Sequence, residues 1–67
     1  MNKVYEHLKK IREKNNITQE EMAKLLGYKH KSAYGKLEKG ERKISLEQAK
    51  KISDFFKMKI EEIFFNQ

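Results

Sequence analysis

The absence of cysteine constrains this chain more than any other feature of its sequence, because the chain has only 67 residues. A domain of this size buries only about 60% of the surface that its unfolded chain exposes, so its core is thin. Without cysteine, neither a disulfide nor a zinc-thiolate site can reinforce that core. The core must therefore come from the packing of the chain's own elements, or from a partner subunit. The same absence fits a reducing cytoplasm, which we predict as the location.

The composition favours helices over strands. The chain has no proline and only three glycines, which is poor material for the many tight turns of an all-β fold. Good helix formers such as lysine, glutamate, glutamine and leucine are abundant. No apolar run approaches the roughly 18 residues that a membrane-spanning helix needs, and residues 1–10 lack the apolar centre of a secretory signal. We therefore predict a single all-α domain over residues 1–67 that does not span a membrane.

Capping residues and apolar spacing together predict where the helices lie. Thr18 and Ser45 each have a glutamate or glutamine three residues later, which is the capping box that opens a helix. Gly27 and Gly40 supply the left-handed residue that ends one. Asparagines at 15 and 16 end the first helix, since asparagine favours local side-chain bonds over helix continuation. The five predicted helices cover about residues 3–14, 18–26, 30–39, 45–56 and 60–65.

The spacing of apolar residues also predicts the core. Residues three and four apart fall on one face of each helix. Ala23 lies midway along the second helix, where a small side chain would let the second and third helices cross closely. The residues predicted to point inward are Val4, Leu8, Ile11, Met22, Ala23, Leu25, Leu26, Ala33, Leu37, Leu46, Ala49, Ile52, Phe55 or Phe56, Ile60, Ile63 and Phe64.

The positive charge of the chain is concentrated in two segments. Sixteen basic and ten acidic residues give a formal net charge of +6. Residues 28–43 contain six basic and two acidic residues, a net charge of +4, and residues 1–14 have a net charge of +3. A basic domain suits a polyanion or an anionic membrane surface, although a merely solvated face is the alternative. The narrow apolar stripe of residues 1–14, without tryptophan, argues against a membrane-surface helix.

Residues 18–39 have the pattern of a helix-turn-helix, in which two short helices are joined by a glycine-containing turn. In such a motif the outer face of the second helix is free to enter the DNA major groove, which is about as wide as an α-helix. The stretch TQEEMAKLLG at residues 18–27, followed by LEKGERK at residues 37–43, resembles the lambda-repressor-like or XRE family. The resemblance covers about residues 4–64. It implies a five-helix DNA-binding domain that acts as a transcriptional regulator, predicted to be a repressor at a palindromic operator.

The family resemblance also implies which residues contact double-stranded DNA. Members of the family place the second helix of the motif, here the third helix of the chain, in the major groove. The position of the motif then implies contacts with base edges by His30, Lys31, Ser32, Gly35 and Lys36. It implies contacts with the DNA backbone by Gln19, Lys29, Tyr34, Lys39, Arg42 and Lys43.

The chain departs from the family pattern at two places. Between Gly27 and Leu37 it has one residue more than the commonest spacing, so the turn must be longer and the contact register can shift by one position. Tyr34 stands where the family usually has isoleucine or valine. It is either buried with its hydroxyl group hydrogen-bonded, or it leans outward to a phosphate.

The end of the chain is crowded with large apolar residues, which predicts a surface for homodimer formation. Phe64 and Phe65 are adjacent and so project about 100° apart on a helix, which leaves one of them at the surface. We predict that Phe65 anchors a symmetric contact, with Ile63 or Phe64 beneath it. A chain end that folds back onto its own core is the alternative.

Other function classes find little support in the sequence. The two histidines, His7 and His30, are far apart, and no nucleophile, base and orienting group are spaced for catalysis. The sequence has no glycine-rich phosphate loop and no histidine-carboxylate cluster, so we predict no enzyme, metal, cofactor or small-molecule ligand. An antitoxin-type protein-interaction module that also binds its own promoter is the main alternative. An RNA-binding sheet module is disfavoured because the sequence predicts no strands.

Overall fold

The computed structural model describes residues 5–64, and five α-helices make up most of this range. Residues 5–64 contain no strand, which confirms the predicted all-α class. The predicted start of the first helix at Lys3 and the predicted end of the fifth helix at Phe65 lie outside the described residues. The five helices are α1 (Glu6–Lys14), α2 (Gln19–Leu26), α3 (Lys31–Glu38), α4 (Leu46–Phe56) and α5 (Ile60–Phe64).

Both predicted capping boxes are present. The Thr18 hydroxyl accepts a hydrogen bond from the Glu21 backbone N–H at 3.0 Å, and the Glu21 carboxylate accepts one from the Thr18 N–H at 2.8 Å. Ser45 and Gln48 make the equivalent reciprocal pair at the start of α4. Gly27 ends α2 with a φ of 84°, a left-handed conformation that glycine adopts without steric cost. These local signals fix where the helix-turn-helix begins and where its first helix ends.

The core lies where the five helices meet, and α2 and α3 make the most extensive pairing. Leu8, Met22, Leu37 and Ile52 are fully buried, one from each of α1 to α4. Ile63 of α5 is 1% exposed and completes this core. Because every helix contributes to the same cluster, the exposed face of α3 is supported by the whole domain.

Leu46 corrects the predicted core, because it is 79% exposed although the apolar spacing predicted that it points inward. The same spacing predicted that Phe55 or Phe56 points inward, and this is confirmed by Phe56, since Phe55 is 45% exposed and Phe56 packs against the core. At about 100° per residue, Leu46 projects roughly 120° away from the buried Ile52, and it occupies the first position of α4. Phe56 is the half-buried member of the phenylalanine pair, and its ring lies 5.0 Å edge-on from that of Phe55.

A larger side chain at Ala23 should destabilise the domain. Ala23 is 2% exposed in the middle of α2, and overpacking such a position costs about 1–3 kcal/mol. For a domain of this size each 1 kcal/mol lowers the melting temperature by about 4–8 °C. We expect thermal unfolding of Ala23→Leu to show a loss of this size. Lys24→Leu, which adds the same side chain at the exposed neighbouring position, is the matched control, and equal melting temperatures for the two variants would contradict the packing described here.

Candidate nucleic-acid interface

The α3 helix separates its residues into a buried and an exposed side. Tyr34, Leu37 and Glu38 are buried, whereas Lys31, Ser32 and Lys36 are exposed. Ser32 and Lys36 are four residues apart and therefore lie above one another on the same face. The structure thus keeps a polar, basic face of α3 open to solvent.

The turn before α3 is four residues long. Residues 27–30 separate α2 from α3, and His30 is the N-cap with an extended backbone (φ −135°, ψ 146°). The His30 side chain makes no capping hydrogen bond, and the residue is exposed. His30, Lys31 and Ser32 therefore lie together at the start of the helix, as the motif implies. Whether they touch bases stays a prediction.

Most residues predicted to contact phosphate are exposed cations around α3. Among residues 5–64, the ion pairs within 4.0 Å both involve Arg12, so no carboxylate of that range neutralises these cations. The Arg42 guanidinium carbon lies 5.0 Å from the centre of the Tyr28 ring, within the range of a cation–π contact. The exposed cations are Lys29, Lys39, Arg42 and Lys43.

Tyr34 is buried, and the prediction that it contacts the DNA backbone is wrong. Its side chain is fully buried, and its hydroxyl group donates a hydrogen bond of 2.8 Å to Glu38 Oε2. Burial, together with the negative charge of Glu38, raises the pKa of the Tyr34 hydroxyl far above its ordinary value. The other reading of the sequence, a buried tyrosine with a bonded hydroxyl, is correct.

Gly35 is also buried, because the Gln19 side chain lies across it. A Cβ atom built on Gly35 would lie 3.6 Å from Gln19 Oε1 and 3.8 Å from Gln19 Nε2. With Gln19 in this position, the backbone of Gly35 is covered and does not reach the surface. The structure therefore gives no support to a base contact by Gly35, which stays a prediction.

We expect Gly35→Ala to stabilise the protein. The distances to Gln19 are those of ordinary van der Waals contact, and alanine is favoured over glycine in a helix by about 0.5–1 kcal/mol. Chemical denaturation should show a gain of about that size. DNA affinity should be unchanged, because Gln19 already separates this position from solvent. A loss of affinity in a stabilised Gly35→Ala protein would restore a direct role for Gly35 in DNA contact.

Gln19 is held by the protein itself. It begins α2, is half-buried, and its Nε2 donates a hydrogen bond of 3.2 Å to Glu38 Oε1. An amide nitrogen has two hydrogens, so one donor remains for a phosphate oxygen. The contact of Gln19 with the DNA backbone stays a prediction, and Glu38 fixes the direction from which the amide would make it.

Arg12 and Glu38 form a buried ion pair that connects α1 to α3. Arg12 is 7% exposed and Glu38 is 5% exposed, and Arg12 Nε donates to Glu38 Oε2 at 2.6 Å. Arg12 Nη1 also donates to the carbonyl oxygen of Ile17 at 2.8 Å. Burial alone would lower the pKa of Arg12, but the hydrogen bond and charge of Glu38 outweigh it and raise that pKa. The pair, with Tyr34 and Gln19 bound to the same carboxylate, holds α3 in place from its inner side.

In a count of charges Arg12 is one of many basic residues, although the sequence contains a signal for its burial. Arg12 follows Leu8 by four residues and lies next to Ile11, so it falls on the apolar face of α1. Glu38 follows Tyr34 by four residues on the inner face of α3. Opposite charges at two inward positions indicate a buried pair, because an unpaired buried charge is costly.

Comparison with known proteins agrees with this geometry. A family model described as helix-turn-helix matches residues 8–63. The chain belongs to the XRE (Cro/cI-type) helix-turn-helix family of transcriptional regulators. It is 46% identical over 57 residues to an uncharacterised HTH-type transcriptional regulator of Methanocaldococcus jannaschii, covering 85% of each chain. It has the same identity over 57 residues to one of Archaeoglobus fulgidus, covering 85% of this chain and 79% of the relative.

A solved structure shows the same fold. The crystal structure of the restriction-modification controller protein C.AhdI from Aeromonas hydrophila superimposes with a TM-score of 0.73 at 29% identity, covering 87% of this chain and 86% of that one. This match confirms the lambda-repressor-like arrangement of five helices. Membership of this family of regulators also confirms that the helix-turn-helix protein is a DNA-binding transcriptional regulator and not an enzyme.

Two of the three predicted dimer residues of this helix-turn-helix protein lie in the described part of the chain. Ile63 is 1% exposed and Phe64 is 8% exposed, and the Phe64 ring packs edge-on against Tyr5 with 5.4 Å between centroids. Both residues belong to the core of one subunit, which agrees with a position beneath Phe65, and the dimer contact itself stays a prediction. Phe65 lies outside the described residues.

Two further observations concern the described part of this regulator. Across residues 5–64, no helix combines the length and apolar character needed to cross a membrane. In the same range, no group of three or more histidine, aspartate or glutamate side chains is placed to hold a metal ion.

Proposed function

We propose that this protein is a sequence-specific transcriptional repressor that binds a palindromic operator as a homodimer in the cytoplasm. One observation carries the proposal: the exposed face of α3 presents Lys31, Ser32 and Lys36, while the opposite face is locked into the core. Lysine and serine side chains can hydrogen-bond to base edges in the major groove. Exposed cations on the adjoining turn and loop supply partners for the phosphates on either side.

The homodimer is proposed because a single recognition helix reads too short a sequence. Helix-turn-helix dimers bind two half-sites about 34 Å apart, one helical turn of DNA, and their symmetry matches that of the operator. The similar C.AhdI protein is described as a restriction-modification controller, which supports a regulatory role of this kind. Phe55, 45% exposed at the end of α4, offers an apolar surface to a partner.

Selection of bound duplexes from a random DNA pool tests the proposal directly. We expect the full chain to enrich one motif, arranged as an inverted repeat with half-sites one helical turn apart. An enriched motif without symmetry would contradict the homodimer. Binding without any enriched motif would contradict sequence-specific recognition.

Single substitutions should separate base contacts from phosphate contacts. Lys31→Ala should lose about 1–3 kcal/mol of discrimination at one base position. Arg42→Ala should weaken binding to all sequences about equally and reduce the salt slope by about one. Competition binding to operator and point-changed duplexes measures both effects. A change of base preference in Arg42→Ala but not in Lys31→Ala would show that the contact register is different.

A further inference from the structure

We propose that Tyr28 is a positioning residue for DNA binding, which holds Arg42 in the orientation that contacts a phosphate. The proposal rests on the proposed function and concerns the turn before α3 and the loop after it. Tyr28 is half-buried in the turn, and Arg42 is exposed in the loop between α3 and α4. The Arg42 guanidinium carbon lies 5.0 Å from the centre of the Tyr28 ring. These two segments are far apart in sequence and meet at this contact.

Hydrogen bonds hold Tyr28 at its backbone N–H and at its hydroxyl group. Its backbone N–H donates a hydrogen bond of 2.8 Å to the carbonyl oxygen of Ala23 in α2. Its hydroxyl group accepts one of 2.9 Å from Gln48 Nε2 in α4. The Oε1 atom of the same Gln48 accepts from the Ser45 N–H at 3.1 Å, so the amide orientation is set by the capping box. The ring is therefore anchored to two helices and provides a rigid surface for the guanidinium.

The contact with Tyr28 leaves the N–H donors of Arg42 available. A guanidinium group that lies over an aromatic ring contacts it through its positive charge and makes no hydrogen bond to it. Among residues 5–64 no carboxylate lies within 4.0 Å of Arg42, because the ion pairs of that range both involve Arg12. A guanidinium group whose N–H donors have no carboxylate partner suits the oxygens of a phosphodiester.

Stacking also lowers the entropic cost of the phosphate contact. An exposed arginine loses side-chain freedom when it binds, and a side chain already held in its bound orientation loses less. Cation–π contacts at exposed sites are worth about a two- to fivefold change in an equilibrium constant. Tyr28 therefore increases DNA affinity through Arg42 and without a DNA contact of its own. Since the effect acts on a phosphate contact, it is the same for every DNA sequence.

A double-mutant cycle with Tyr28→Leu and Arg42→Ala tests the coupling. On the selected operator, Tyr28→Leu should weaken binding about two- to fivefold, and by the same factor on unrelated duplex. In the Arg42→Ala background, Tyr28→Leu should cause no further loss. Effects of the two changes that multiply would overturn the proposal. Tyr28→Phe, which keeps the ring and loses only the hydroxyl group, is the matched control and should retain most of the affinity.

A second measurement needs no DNA. In the free protein, the aromatic ring should shift the NMR signals of the Arg42 side-chain methylene protons upfield. The shift should persist in Tyr28→Phe and disappear in Tyr28→Leu, while the remaining spectrum shows that each variant is folded. A wild-type protein without this shift would overturn the stacking. A wild-type protein with the shift that binds no duplex would instead contradict the proposed function, and with it the role of Tyr28.

Discussion

Replacing Glu38 with alanine should remove a large part of the protein's free energy of unfolding. The change leaves the buried Arg12 guanidinium without its carboxylate partner, and breaking a buried pair in this way costs about 3–5 kcal/mol. It also removes the acceptor of the Tyr34 hydroxyl group. At roughly 0.05–0.15 kcal/mol per residue, a chain of this length has only about 3–10 kcal/mol of stability to lose. Equilibrium denaturation followed by circular dichroism measures the loss.

Two control variants test whether the loss of stability comes from the buried position of Glu38 and its ion pair. Glu41→Ala removes an exposed carboxylate three residues later and should change stability by less than about 0.5 kcal/mol. The combined change Arg12→Met, Tyr34→Phe and Glu38→Leu removes both charges and the hydroxyl group together. It should recover much of the stability, because apolar replacement of a whole buried pair is often neutral or favourable. A stable Glu38→Ala protein would contradict the ion pair described here.

The affinity for operator DNA should fall steeply with salt. Six basic residues lie between positions 28 and 43, and all six are exposed. A protein that makes about six to ten phosphate contacts loses roughly 10³–10⁵ in affinity between 50 and 200 mM salt, because bound counterions are released from the DNA. Titrations at several salt concentrations measure the slope.

A control variant tests where the salt dependence originates. Lys59→Ala removes an exposed cation just before α5, outside the basic segment of residues 28–43, and should leave the slope unchanged. Arg42→Ala should make the slope shallower. An affinity that hardly changes with salt would contradict a phosphate-contacting role for the basic segment.

Much of the fold could be predicted from local sequence signals. The capping boxes at Thr18 and Ser45 and the left-handed Gly27 gave helix boundaries that the structure confirms. The end of α4 had no such local signal, because Lys57 adopts a left-handed conformation (φ 56°) without being glycine. Leu46 was misplaced because periodicity identifies a face of a helix, whereas burial also depends on whether a neighbouring helix covers that end.

The sequence predicted which residues of the candidate interface are exposed along α3. It did not predict the contacts that depend on packing between helices. The exposed positions of Lys31 and Lys36 followed from the motif. The environment of Gly35 did not, because its burial requires the Gln19 side chain to lie across it from another helix. The pairing of Arg12 with Glu38 likewise joins residues 26 positions apart, and a charge count along the chain treats both as surface groups.

Because α3 has one exposed and one buried side, mutations on the exposed side can change DNA recognition without changing the stability of the protein. Lys31, Ser32 and Lys36 are exposed, whereas the buried residues of α3 lie on its other side. Surface substitutions of this kind usually change stability by less than about 0.5 kcal/mol. Randomising these three codons together, with proline excluded because it would break α3, should therefore give a library in which most members fold. Selection of that library on altered operators could then reprogramme the target sequence while the scaffold stays constant.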